Sequence, residues 1–132
     1  MVVDRLSDGK RIAQLLASEL TGHEDTFSIL SIVDSDADVE PTDDGALAYA
    51  VAAGDERVAE VYVQPDRTRI EFIAHPDVTA EAADEEGLRV RPKAVRPPRT
   101  LVFVEDGAQV KWTIPAFRAL VEALESDADE SN

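Results

Sequence analysis

Cysteine is absent, lysine is scarce and aromatic residues make up only 5% of the chain. Without cysteine there can be no disulfide, no thiolate nucleophile and no cysteine-held zinc or iron–sulfur centre. No apolar run approaches the ~18 residues of a membrane span. The start, Met1-Val2-Val3-Asp4, lacks the charged and apolar regions of a secretion signal, so a cytoplasmic protein is expected. There is neither a Gly-x-Ser-x-Gly elbow nor a phosphate-binding glycine loop. His23 and His75, the only histidines, sit in turn contexts without a ligand-spaced partner. No catalytic residue, metal site or cofactor is therefore expected.

What is abundant is acid. The 132 residues include 28 Asp and Glu against 13 Lys and Arg, a net charge of −15. Only Lys10, Lys93 and Lys111 are lysines, so arginine carries most of the positive charge. In dilute buffer such a surplus pushes a compact chain apart. At molar salt the screening length falls to about 3 Å and the repulsion largely disappears. High aspartate, little lysine and small aliphatics thus read as adaptation to a saline cytoplasm. The same charge disfavours general binding to nucleic acid or anionic membrane, except through a local basic patch. With 44% hydrophobic residues the chain has material for one core, and its length suits one domain, expected over residues 1–125.

Apolar positions place the elements. Ser7 suits an N-cap, and Ile12, Leu15, Leu16 and Leu20 recur at helical spacing before Gly22, predicting a first helix of about four turns. Phe27 to Val33 reads as a strand, with a helix as the alternative. From Ala46 to Ala74 the period is two, with Val61 and Val63 opposite Val58, Glu60 and Tyr62, and Ile70 and Phe72 opposite Arg69 and Glu71. Turn residues at Gly54-Asp55 and Pro65-Asp66 divide this stretch into a three-stranded meander. Asp77 to Glu86 reads as a second helix and Leu88 to Val90 as a short strand. Asp106-Gly107, between Thr100–Glu105 and Ala108–Thr113, predicts a type I′ hairpin that sets Phe103 opposite Val110 and Leu101 opposite a buried Trp112. A single helix from Val110 to Leu124 is the alternative, but would enclose Pro115 at a cost of ~3 kcal/mol. Pro115 instead suits the first turn of a last helix, with an acidic, disordered tail at 126–132. The fold class expected is α+β: a mostly antiparallel sheet (meander plus C-terminal hairpin) with two or three helices packed on one face.

One segment departs from the acidic background. Arg89, Arg91, Lys93, Arg96 and Arg99 fall within eleven residues that contain three prolines and no acid. Prolines would hold the segment extended and spread its guanidinium groups along a strip suited to carboxylate or phosphate. An anionic ligand or an acidic protein surface is the partner class implied. The architectural alternative is that these cations clamp the protein's own carboxylates, for instance those of the helix at Asp77 to Glu86. The acidic loop at Asp34, Asp36, Asp38, Glu40, Asp43 and Asp44 begins like a calcium loop. Val39 stands where that motif needs glycine and Gly45 where it needs glutamate, so it reads as solvated.

The runs Arg89-Val-Arg-Pro-Lys93, Arg96-Pro-Pro-Arg-Thr100 and Leu101-Val-Phe-Val-Glu-Asp-Gly107 resemble those of small acidic uncharacterised proteins of haloarchaea. The resemblance implies a salt-rich cytoplasm and brings no activity, cofactor or catalytic residue. Three function classes follow: a binding or adaptor module using the basic segment, an enzyme acting on a phosphorylated or carboxylated small molecule, and a structural protein that pairs through a strand edge.

Overall fold

Alternation of apolar and polar residues drives the centre of the computed structural model, which describes residues 8–23 and 25–130. Three strands form the meander: β2 (Ala46–Ala53), β3 (Glu56–Gln64) and β4 (Arg67–Phe72). A short β1 (Leu30–Val33) adds to β2, and the pair β5 (Arg89–Lys93) and β6 (Arg99–Val104) adds to β4. The resulting six-stranded sheet has the order β1-β2-β3-β4-β6-β5, with every neighbouring pair antiparallel.

Among the described residues three α-helices supply the second layer: α1 (Gly9–Gly22), α2 (Pro76–Glu85) and α3 (Ile114–Glu130). Ile12 and Leu16 of α1 and Phe117 and Leu120 of α3 are fully buried against Val61, Ile70, Phe72 and Val102 of the sheet. The Phe72 and Phe117 rings lie 5.0 Å apart, and Phe27 meets Phe117 edge-on at 6.4 Å. The α+β architecture is therefore as expected, with helices on one face.

The chain after β6 is different from the expected hairpin. Gly107–Thr113 is a 3₁₀ helix that runs directly into α3. Asp106 caps it by accepting from the Gln109 backbone N–H at 3.0 Å, while the Gln109 side chain accepts from the Glu105 N–H at 2.8 Å. This reciprocal arrangement resembles a capping box, and it favours a helical turn over a two-residue loop. Leu101 and Phe103 accordingly face β4 and β5, and Trp112 is 40% exposed rather than buried. Pro115 falls just beyond the change from 3₁₀ to α geometry, where its missing N–H is tolerated. The helix also continues through Ser126–Glu130, where a disordered tail was expected; residues 131–132 lie outside the described part. Ser7 lies outside it too, and Asp8 is the cap of α1, accepting from the Arg11 N–H at 3.2 Å.

Candidate functional site

The sheet face turned away from the helices is built by the second half of each alternation. Across β3, β4, β6 and β5 it sets Glu60, Glu71, Leu101 and Arg91 in one row and Tyr62, Arg69, Phe103 and Arg89 in the next. A bulge contributes one more cation. Ala59 pairs with Val51 and Arg57 with Ala52, so Val58 is an extra residue in β3. The bulge turns Val58 into the core and brings Arg57 onto the face of Glu60, to which it donates at 2.9 Å.

Two carboxylates stand opposite each other at the centre, an arrangement that repels by itself. Arg99 Nη1 resolves it by donating to Glu60 Oε1 at 2.8 Å and to Glu71 Oε1 at 2.9 Å. Lys93 Nζ at 3.1 Å and Arg69 Nε at 3.0 Å complete the surroundings of Glu71, whose side chain is 1% exposed. The Tyr62 hydroxyl donates to Glu60 at 2.8 Å, and Arg57 also pairs with Asp34. Arginine planes roof the rings beneath them: Arg69 Cζ lies 4.7 Å from the centre of Tyr62, and Arg67 Cζ lies 4.3 Å from that of Phe103. These long side chains bury the carboxylates that no helix covers.

The electrostatics follow from that closure. Burial would raise the Glu60 carboxyl, but hydrogen bonds from Tyr62, Arg57 and Arg99 outweigh it and hold Glu60 below its ordinary 4.5. Burial, then donation to Glu60, pushes the Tyr62 hydroxyl up to about 12. Burial opposes the charge of Arg99, yet its bonds to Glu60 and Glu71 leave its pKa raised. An ionised Glu60 is the reverse of the protonated carboxyl that general acid catalysis requires.

The five basic residues singled out in the sequence divide. Their segment doubles back as the β5–β6 hairpin instead of lying extended, so Lys93 stands opposite Arg99. Those two end on Glu71 and Glu60, not on the acidic helix α2. Arg89 lies 3.5 Å from Glu105 and stays about half exposed. The Arg91 and Arg96 side chains are exposed and have no hydrogen-bond or ion-pair partner among the described residues. Arg57, Arg67 and Arg69 belong to the same face but lie outside the basic run. Only the Arg69/Glu71 alternation signalled any of them in the sequence, and a bulge such as that at Val58 leaves no such signal.

The acidic loop closes one end of the face through its backbone. The Asp43 carbonyl accepts from Gln64 at 2.6 Å and the Asp44 carbonyl from Arg69 at 2.9 Å. A polar cleft of about 610 Å³ opens beside it, lined by Asp43, Gln64, Pro65, Asp66, Arg67 and Glu105, and by none of the five basic residues. His23 bonds Glu19 and His75 bonds Asp127, so the two histidines serve separate helix ends. Among the described residues no group of three His, Asp or Glu is placed to hold a metal ion, and no helix is long and apolar enough to cross a membrane.

Residues 1–132 match the model of a family of unknown function, DUF7993. The chain belongs to that family. The DUF7993 match spans all the elements described above, so the charged sheet face is part of a family domain and not an appendage to it. No curated protein and no solved structure matches the chain.

Proposed function

We propose that this protein is a binding module whose uncovered sheet face receives an anionic partner at its β5–β6 end. The partner class is an acidic protein surface. One observation carries the reading. Arg57, Arg67, Arg69, Arg89, Arg91, Lys93 and Arg99 share the face, where the carboxylates in ion pairs among the described residues are Asp34, Glu60, Glu71 and Glu105, in a chain with more than twice as many acids as bases. Arg91 and Arg96 are left unneutralised in a chain rich in carboxylates, and a guanidinium fork suits carboxylates presented by another surface. The enzyme alternative asks for a concavity beside Arg91 and Arg96, and the polar cleft lies at the Gln64–Arg67 end, lined by Arg67 and Glu105 but by none of the five basic residues of the Arg89–Arg99 run.

The setting we propose is a salt-rich cytoplasm, as the haloarchaeal resemblance implies. Long-range steering is screened there, so affinity would come from direct guanidinium–carboxylate contact. The test is calorimetric titration of the full chain with an oligo-glutamate peptide, alongside an Arg91→Ala/Arg96→Ala variant. Binding weakened at least tenfold in the variant is expected, roughly the loss of one charge-assisted contact. Equal affinity, or no binding by either protein, overturns the reading.

A further inference from the structure

The two edges of the sheet are guarded differently. β5 carries Arg89, Arg91, Pro92 and Lys93 along its length, a composition that discourages a further strand. β1 carries Leu30-Ser31-Ile32-Val33, with neither charge nor proline, and is preceded by Ile29 at 37% exposure. Leu30 and Ile32 lie opposite Ala53 and Val51 and face the helix layer, yet both are only half-buried. Beside them is a groove of about 360 Å³ whose lining is apolar at Leu20, Phe27 and Val51 and polar at Thr21, Ser28 and Ser31.

We infer that β1 pairs antiparallel with β1 of a second copy about a two-fold axis at Ser31, joining the two sheets edge to edge. In an isologous strand pair residue i of one copy meets residue j of the other and j meets i, and Ile29-Leu-Ser-Ile-Val33, similar in character on either side of Ser31, then pairs apolar residues with apolar ones. Opposed residues in an antiparallel pair share a face. This register sets Leu30 against Ile32 of the second copy on the helix side, Ile29 against Val33 on the open side, and serine against serine at the axis. A shift of two residues in the pairing sum sets Leu30 against Asp34, or Ser28 against Ile32, and a shift of one turns every side chain to the wrong face. Pairing would also close the groove with aliphatic side chains. The pairing involves the β1 edge alone and is independent of whether the cationic face binds an anion.

The chain's lack of cysteine makes the test clean. Sedimentation velocity of the full chain in molar KCl is expected to show a concentration-dependent dimer. Ser31 is exposed, so Ser31→Lys should keep its circular dichroism while raising the dimer dissociation constant at least tenfold, because two ammonium groups then meet at the axis. Opposed Cβ atoms in such a pair lie about 4.5–5.5 Å apart, so Ser31→Cys should oxidise to a covalent dimer with little adjustment. Ala108→Cys, exposed on the 3₁₀ helix, should not. A monomer at every concentration overturns the inference. So does a dimer that Ser31→Lys leaves intact, or equal crosslinking of the two cysteine variants.

Discussion

Glu60 shows how a single carboxylate can be kept ionised on a sheet face that no helix covers. Its folded-state pKa lies below 4.5, so it stabilises the fold above that pH, and the contribution is lost as pH falls through the folded value. Acid also relieves the repulsion among the other carboxylates, which works in the opposite direction and obscures the effect in the protein alone. Tyr62→Phe separates the two. It removes one of three donors to Glu60 and leaves the net charge unchanged, so general repulsion cancels in the comparison. The variant is expected to be less stable by about 1.5 kcal/mol at neutral pH, the worth of a hydrogen bond to a charged group. The gap should narrow as pH falls from 7 towards 3, measured by urea denaturation. A gap that stays constant over that range would show that the hydroxyl does not support the ionised form.

At the scale of elements, one contact fixes how the first helix meets the sheet. The start of α1 rests on the β3–β4 turn, with Gly9 N–H bonding the Pro65 carbonyl at 3.3 Å and its own carbonyl accepting from Thr68 Oγ1 at 2.7 Å. A Cβ on Gly9 would lie 1.9 Å from the Gln64 carbonyl oxygen and 2.5 Å from that of Arg67. Both are backbone atoms of a paired hairpin and cannot give way as a side chain would. Gly9→Ala should therefore cost about 3 kcal/mol, at the upper end of overpacking, whereas Gly22→Ala, with nothing within 4 Å, should leave the thermal midpoint near the parent's. Equal midpoints for the two variants would refute this docking. Nothing in the sequence around Gly9 announces the contact, since it depends on residues more than fifty positions away. The meander, by contrast, was legible because β3 and β4 bury one face and carry charged side chains on the other, which period two records directly, while β2, apolar on both faces, was marked off by the turn residues Gly54-Asp55. The hairpin expected at Asp106-Gly107 misled for a related reason: the dipeptide suits a tight turn, but Asp106 and Gln109 also hold the spacing of a helix cap. The site was half legible. The run from Arg89 to Arg99 announced its cations, while the carboxylates that receive Lys93 and Arg99 come from strands paired through tertiary structure.

The whole molecule divides its charge unevenly. The sheet face and its edge hold seven basic side chains and the four acidic ones found in ion pairs there, which leaves six basic and 24 acidic residues to the rest of the chain. Repulsion is thus concentrated where side chains are solvated, in the exposed acids of the Asp34–Asp44 loop, of α2 and of α3. Solvated charges are what dissolved ions screen, whereas Glu71, almost wholly enclosed among three cations, is shielded from them. Added salt should therefore remove much of the unfavourable term and little of the favourable one. The urea midpoint is expected to rise from salt-free buffer to molar KCl, followed by circular dichroism because Trp112 is too exposed to report cleanly on the core. Screening and salting-out predict different curves. Screening acts most steeply at low ionic strength and is nearly complete at about 1 M, where the Debye length is about 3 Å. Strengthened apolar burial by excluded salts keeps growing with concentration. A midpoint that rises early and then levels would identify charge repulsion as the term relieved. One that does not move between salt-free buffer and molar KCl would show that the fold carries its −15 without help from solvent ions.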